Sequence, residues 1–258
     1  PGVPSGEGGG STSGGPGASS TGGAGTTGGG STSGGSTPTA PLPPAAAFVD
    51  AFDNASLPAW TTFIPAGNAA TVAVSNGALR ITVPTFSTWF EARQAPFVHR
   101  SVEGGFRATT AVRARRASDD AAPVDEYQFA GLLARNPQGG QENYVFIVVG
   151  RYASELAHET KSTTNNQSDK DYAATSSPDA QLRICRVGSR FRLYQRPYDG
   201  SGAWTLEEEY NRPDLPGALQ VGPMAYAFDY RRNPQDFRGS FDWVTVAPAA
   251  KDSDCTAD

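Results

Sequence analysis

The stretch of sequence that decides the fold is FAGLLARNPQGGQENYVFIVVGRY, residues 129–152. Two runs within it, residues 129–134 and 144–149, are apolar at consecutive positions, which is typical of central strands that are covered on both faces. Between them lies the turn signal Asn136-Pro137-Gln138-Gly139-Gly140. The pattern predicts two central strands that are joined by a turn.

Outward from these two strands the apolar residues recur with a period of two, in short segments separated by Gly, Pro, Asn or Asp. Asn76-Gly77 marks a hairpin, because both residues tolerate a positive φ. Another tight hairpin is predicted across Gly188-Ser189. We expect about a dozen strands and no long helix. The first and last strands, residues 48–52 and 241–246, are expected to pair.

The chain divides by composition into residues 1–45 and residues 46–258. The first part is rich in Gly, Ser and Thr, has no aromatic residue and carries one charge, Glu7, so it is predicted to be a disordered low-complexity tether. The second part holds all the aromatic residues and is predicted to form one β-sandwich domain.

The charge of the sequence argues against a nucleic-acid partner, and its hydropathy argues against a transmembrane segment. The formal net charge is −5, or −4 without Glu7, and it is spread without a basic block, which argues against nucleic acid. No apolar run approaches the roughly 18 residues that a transmembrane segment needs.

Cys185 and Cys255 are the only cysteines, and we expect them to form one disulfide, since a free thiol near a terminus is a liability in an oxidising compartment. The alternative is a pair of free thiols, one buried and one exposed. The start at Pro1 and the Gly/Ser-rich tail favour an extracellular or cell-surface protein. Anchoring by a lipid upstream of this chain is a further hypothesis, and plain secretion is its alternative.

Six segments follow one another in an order that resembles a known group of domains: FAGLLARNP, ENYVFIVVGRY, HETKST, LRICRVGSRFRLYQRP, LPGALQVGPMAYAF and FDWVTV. From about Phe48 to Val246 the chain resembles bacterial concanavalin A-like lectin/glucanase domains, and more narrowly an uncharacterised extracellular subgroup of them. The resemblance implies a jelly-roll sandwich of two antiparallel sheets and an extracellular glycan or polysaccharide as ligand. The wider superfamily includes lectins, carbohydrate-binding modules, glycoside hydrolases and polysaccharide lyases, and no catalytic residues can be carried over.

The candidate ligand-binding residues are amphipathic or charged side chains on predicted strands. Alternation through residues 88–93 predicts that Trp89, Glu91 and Arg93 share one strand face, although for Trp89 alone burial in the core is the better interpretation. Alternation also separates Glu159 and Lys161 from His158 and Thr160. The complete candidate set is Trp89, Glu91, Arg93, Tyr144, Glu159, Lys161, Arg183 and Tyr194.

No catalytic residue is predicted. Glu207 and Glu209 share a strand face without the intervening Asp that glucanases of this fold use, and we expect them to pair with arginines of the preceding hairpin. The two histidines, His99 and His158, lack further ligands at metal spacing.

No cofactor is predicted, with calcium as the alternative. Residues 162–172 are expected to form a polar loop, in which Asp169 and Asp171 are possible calcium ligands. Asp53 and Asp242 form a second possible oxygen cluster, with hydrogen bonds to turn amides as the alternative role.

The sequence favours one function, given first below, and two alternatives stay open. The first is a non-catalytic extracellular module that binds carbohydrate or mediates surface adhesion, including contacts with other cell-surface proteins. The second is a glycoside hydrolase or polysaccharide lyase, which needs converging carboxylates, or a tyrosine with a basic partner, in a cleft. The third is a structural surface protein, which needs a broad exposed apolar patch.

Overall fold

The structure is a computed structural model that describes residues 48–258. The predicted tether, residues 1–45, lies outside the described residues. The described part is built from fifteen β-strands and one short 3-10 helix at Asp252–Cys255. The strands are β1 Phe48–Asp50, β2 Thr61–Phe63, β3 Thr71–Ser75, β4 Ala78–Thr82, β5 Phe97–Glu103, β6 Phe106–Arg115, β7 Gln128–Arg135, β8 Tyr144–Tyr152, β9 Glu155–Thr164, β10 Gln167–Ala174, β11 Asp179–Val187, β12 Arg190–Pro197, β13 Thr205–Asn211, β14 Ala218–Ala227 and β15 Arg238–Pro248.

These strands form two antiparallel sheets, as the sequence predicts for a jelly-roll sandwich. The first sheet has eight strands in the order β13-β12-β11-β6-β15-β4-β3, with β1 also paired to β15. The second sheet has seven strands in the order β10-β9-β8-β7-β14-β5-β2. Strands β7 and β8 pair at the centre of the second sheet, which confirms the interpretation of residues 129–152.

The other predicted pairings are also confirmed. β1 pairs with the end of β15, so that Phe48 lies opposite Val246. The Asn76-Gly77 hairpin joins β3 to β4, and both turn residues have a positive φ. In β12, which forms a hairpin with β11, Arg192 lies opposite Glu209 of β13, and the two side chains form the expected ion pair. Glu207, which was expected to do the same, forms no ion pair within residues 48–258.

Two large apolar clusters show that the second sheet is buried on both of its faces. Alternate residues of β7 and β8, such as Leu132 and Ile147, pack between the two sheets. The intervening residues, such as Phe129 and Phe146, belong to a second cluster with Trp89 from the segment before β5. The segment that precedes β5 therefore covers part of the outer face of the second sheet.

Residues 162–172 were predicted to form a loop, and that prediction is wrong. They complete β9 and form most of β10, with a turn at Asn165-Asn166 in which both residues have a positive φ. β10 has no apolar alternation because it is an edge strand, where charged residues are favoured.

Cys185 and Cys255 are joined by a disulfide with an S–S distance of 2.06 Å. It holds the 3-10 helix against β11 on the outer face of the first sheet. Within residues 48–258 no helix is long and apolar enough to cross a membrane.

Candidate functional site

A buried ion pair on β9 is the centre of the candidate site. Glu159 and Lys161 are two residues apart, so both side chains point to the outer face of the second sheet. Lys161 Nζ lies 2.8 Å from Glu159 Oε1 and donates a hydrogen bond of 2.8 Å to the carbonyl oxygen of Trp89. The hydroxyl group of Tyr226 on β14 donates to Glu159 Oε2. The two charged side chains are only 1% and 3% exposed, so the pair is fixed within the protein.

Burial controls the ionisation of this cluster. It lowers the pKa of Lys161, while the adjacent Glu159 opposes that shift by favouring the ammonium form. Burial, reinforced by the charge of Glu159, raises the pKa of Tyr226 well above its ordinary value. The pKa of Tyr172 on β10 is raised for the same two reasons, and its buried hydroxyl group has no hydrogen-bond partner among residues 48–258.

Above the ion pair lies a cleft formed by two adjoining cavities. The inner cavity, of about 260 Å³, contains Glu159 and Lys161 in its wall. The outer cavity has a volume of about 460 Å³. Four residues line both cavities: Thr88, Arg93, Phe228 and Tyr230. We call the two together the aromatic cleft, and its lining residues are Phe86, Ser87, Thr88, Phe90, Arg93, Gln94, Tyr127, Glu159, Lys161, Lys170, Tyr172, Tyr226, Phe228 and Tyr230.

Aromatic rings dominate the mouth of this cleft. Phe86 and Tyr230 are 42% and 71% exposed, and the ring centroid of Phe86 lies 5.9 Å from that of Phe228. Beside the inner cavity, Tyr172 stacks on Tyr152 with ring centroids 3.8 Å apart. An exposed aromatic ring can pack against the apolar face of a ligand whose edges are polar. A pyranose is such a ligand, because its C–H groups form an apolar face and its hydroxyl groups lie at the edge.

The cleft offers little of what hydrolysis requires. Glu159 is the only carboxylate among the described residues that line it, and both of its oxygens already contact neighbours. A glycosidase uses two carboxyl groups, about 5 to 9.5 Å apart, on either side of the scissile bond. Glu142, a carboxylate just before β8, lies outside the cleft lining and forms an ion pair with Arg135.

No group of three or more potential metal-ligating His, Cys, Asp or Glu side chains converges within residues 48–258. In this part of the chain, Asp242 accepts hydrogen bonds from Arg113 and from the hydroxyl group of Tyr198, and Asp53 is exposed. Asp171 accepts a hydrogen bond from the backbone amide of Tyr172. Calcium remains an alternative that rests on the sequence alone.

The predicted strand face of Trp89, Glu91 and Arg93 is wrong. Residues 88–93 do not form a strand, because a turn reverses the chain between Phe90 and Arg93, with Glu91 at φ 55°. Trp89 is fully buried against Phe97 and Tyr144, with ring centroids 6.1 and 5.5 Å away. Glu91 is exposed in the turn and lines neither cavity, whereas Arg93 lines both.

The remaining candidates lie in three different places. Glu159 and Lys161 line the inner cavity, and Tyr144 lies in the apolar cluster behind it. Arg183 and Tyr194 are on β11 and β12 of the first sheet, so they are not part of this site. Burial lowers the pKa of Arg183 to about 10, and its guanidinium group donates to the carbonyl oxygen of Cys255 at 2.8 Å.

Most aromatic residues of the cleft were not among the sequence candidates. Tyr226 lies among apolar residues on β14 and follows their period of two. The sequence therefore predicts a core residue there rather than a cleft residue. Lys170 and Tyr172 lie in β10, whose polar sequence predicts a loop rather than a strand. Phe228 and Tyr230 come just after β14, and only the folded chain brings them to Phe86 and Phe90.

Comparison with known proteins supports the fold. No protein-family model and no curated protein matches the sequence. Among solved structures, a β-glucanase from Bacillus licheniformis aligns over 79% of this chain and 98% of its own, with a TM-score of 0.52 and 12% identity. A xylan β-1,4-xylosidase from Bacillus halodurans aligns over 77% of this chain, with a TM-score of 0.60 and 16% identity.

The extent of these alignments limits what they imply. This chain matches only 38% of the xylosidase, so the similarity concerns a part of that enzyme. A functionally unknown protein from Saccharomyces cerevisiae aligns over 98% of its length and 75% of this chain, with a TM-score of 0.58 and 16% identity. At such identities the similarity shows a concanavalin A-like jelly-roll fold and does not assign an activity.

Proposed function

We propose that this protein is a non-catalytic module that binds an extracellular carbohydrate in the aromatic cleft, and thereby attaches its carrier to a glycan-bearing surface. The observation that carries the proposal is the pairing of exposed aromatic rings at the mouth with exposed polar side chains in the lining, those of Arg93 and Lys170. Rings bind the apolar faces of a sugar, and polar groups in the lining bind its polar substituents. The glycosidases among the structural neighbours are consistent with a carbohydrate ligand.

A glycoside hydrolase of the same fold is the alternative function. It is weakened because Glu159 is the one carboxylate in the lining among residues 48–258, and Lys161 and Tyr226 hold it in place. A reaction through Glu159 would also need substrate to reach a side chain that is nearly inaccessible.

A polysaccharide lyase would use a tyrosine with a basic partner, and Tyr172 and Tyr226 are the candidates in the cleft. A tyrosine that removes a proton near neutral pH needs a lowered pKa. Burial raises the pKa of both residues, so each stays a neutral phenol. The geometry therefore favours binding over elimination.

The proposed location is extracellular or at the cell surface. A disulfide persists in oxidising compartments, and the structure contains one between Cys185 and Cys255. The composition of residues 1–45 suits a spacer between an anchor, such as an upstream lipid, and the domain of residues 46–258. Other cell-surface proteins are additional candidate partners.

The test is binding of the whole chain to a panel of neutral and acidic polysaccharides, measured by affinity electrophoresis and calorimetry. Tyr230→Ala and Phe86→Ala are expected to weaken binding by about five- to twentyfold, since stacking on an exposed ring contributes on the order of 1 to 2 kcal/mol. Both side chains are exposed, so the melting temperature should stay within about 2 °C.

Leu206→Ala is the matched control, because Leu206 is an exposed apolar residue on β13 of the first sheet. It should bind like the wild type. Normal binding by both cleft variants would reject the site. Release of reducing sugars or unsaturated uronates from any polysaccharide in the panel would show that the protein is an enzyme, and would contradict the proposal of a non-catalytic module.

A further inference from the structure

Three cationic side chains line the aromatic cleft, namely Arg93, Lys161 and Lys170. Glu159 is the single lining carboxylate, so the described lining carries two positive charges in excess. The whole chain, by contrast, has a net charge of −5. A local excess of one sign in a concave surface attracts ligands of the opposite sign.

Two of these cations have no partner of their own. Lys161 is neutralised by Glu159, but neither Arg93 nor Lys170 forms an ion pair within the part of the chain that the structure describes. The Arg93 guanidinium lies 5.7 Å from the ring centroid of Phe228, and Lys170 Nζ lies 5.1 Å from that of Phe90. Both side chains are exposed, and their charges are therefore available to a ligand.

The acidic residues on either side of Lys170 are directed away from the cleft. On β10, Lys170 and Tyr172 face the cleft, so the alternating residues Asp169 and Asp171 face the opposite side. There, burial raises the pKa of Tyr210 on β13, and the charges of the two aspartates add to that rise.

The carboxylates next to Tyr230 are also occupied. Asp229 and Glu126 each lie 3.1 Å from the guanidinium group of Arg231. Asp125 pairs with Arg232 at 2.8 Å. Three carboxylates share two guanidinium groups here, which leaves one net negative charge, and none of these five residues lines the cleft. That charge offsets only part of the two positive charges of Arg93 and Lys170.

From this arrangement we propose that the ligand of the cleft is an anionic polysaccharide, with carboxylate or sulfate groups that bind between Arg93 and Lys170 while its sugar rings stack on the aromatic residues. The proposal rests on the proposed function and specifies its substrate class. Because Phe90 lies beside Lys170 and Phe228 beside Arg93, a charged sugar can contact a ring and a cation together.

The experiment compares acidic polysaccharides with their neutralised forms on the whole chain. Polygalacturonate is paired with its methyl ester, alginate with its carboxyl-reduced form, and dextran sulfate with dextran. We expect tighter binding to the charged member of at least one pair, and a loss of that preference as NaCl is raised from about 0.05 M to about 0.5 M. The pairs with uronates and with sulfate distinguish the two sources of charge.

Arg93→Gln and Lys170→Gln should each weaken binding to the charged member about two- to fivefold, as expected for an exposed charge pair, and the double variant about tenfold. Lys251→Gln is the matched control, since Lys251 is an exposed lysine next to the 3-10 helix on the first sheet. It should leave binding unchanged.

The outcomes separate this inference from the proposed function. Equal affinity for the charged and neutralised members of every pair would overturn the anionic specificity and leave a carbohydrate-binding module. Wild-type affinity in the double variant would likewise remove the role of the two cations. Absence of binding to all polysaccharides, charged or neutral, would reject both proposals.

Discussion

At the scale of single residues, His158 makes the stability of the domain depend on pH. His158 alternates with Glu159 on β9 and so faces the first sheet, where it is 5% exposed and its Nε2 atom has no hydrogen-bond partner among residues 48–258. Burial lowers its pKa to about 4, from an ordinary value of 6.5. Between these two pKa values the unfolded chain binds more protons, so the folded state loses stability as the pH falls.

From the two pKa values, His158 should account for a loss of about 2 kcal/mol in the free energy of unfolding between about pH 7 and about pH 5. His158→Gln replaces the imidazole with a neutral amide and should remove that part of the loss. Urea unfolding of both proteins at the two pH values measures it. An equal loss in both would mean that His158 is not buried in its neutral form.

The sequence predicted single residues well where a regular strand fixed their direction. Alternation alone placed Glu159 and Lys161 together on one face of β9, and both line the cleft. The same reasoning failed at Trp89 and Arg93, because the turn at Glu91 uses a positive φ without the Gly or Asn that usually announces one. The backbone amide of Glu91 donates to Ser168 Oγ at 2.9 Å from another part of the fold, a contact that no local pattern could indicate.

At the scale of elements, the β9–β10 hairpin determines one wall of the cleft. Its turn has φ values of 51° at Asn165 and 66° at Asn166, a conformation that Asn and Gly adopt readily and β-branched residues avoid. The backbone amide of Asn165 donates to Asn143 Oδ1 at 2.9 Å, and Asn143 Nδ2 donates to Asn165 Oδ1 at 3.3 Å. Only the second of these bonds depends on the Asn165 side chain.

Asn165→Val should therefore destabilise the domain by about 1 to 2 kcal/mol, the cost of the left-handed conformation for such a residue. Asn165→Gly is the matched control, and it should cost less, since glycine adopts the same φ without strain and loses only the exposed side-chain bond. Chemical denaturation of both variants gives the difference. A valine variant as stable as the glycine variant would show that this turn does not have the described conformation.

The hairpin also shows why one strand escaped prediction. The turn residues Asn165-Asn166 carry the same physical signal as Asn76-Gly77, but polar residues on both sides hid the strands that flank them. Charged residues are favoured in an edge strand because they prevent it from pairing with other chains. The sequence of such a strand therefore does not follow the apolar period of a central strand. β7 and β8, which are buried on both faces, were predictable for the opposite reason.

At the scale of the whole molecule, the sequence predicted the sandwich but could not predict the cleft. The cleft needs the segment before β5, the end of β14 and the hairpin of β9 and β10 to meet over one sheet. The first and the last of these parts are separated by more than a hundred residues, and the meeting of all three depends on strand order rather than on any local pattern. Phe228 and Tyr230, which follow β14, reach the cleft because of the strand order of the second sheet.

The disulfide is the covalent link that acts on the fold as a whole. It joins residues that are 70 positions apart, and it fixes a C-terminal segment whose carbonyl groups accept hydrogen bonds from Arg183 and Arg107. Closing a loop of this length in the unfolded chain is worth about 4 kcal/mol in the chain-entropy model.

The double variant Cys185→Ala/Cys255→Ala should lose up to that amount of stability in urea unfolding. Its cleft should still bind the same polysaccharide, because the disulfide lies on the first sheet and the cleft on the second. Unchanged stability would show that the unfolded chain gains little freedom from the loss of the bond, and lost binding in the folded variant would mean that the two sheets are coupled.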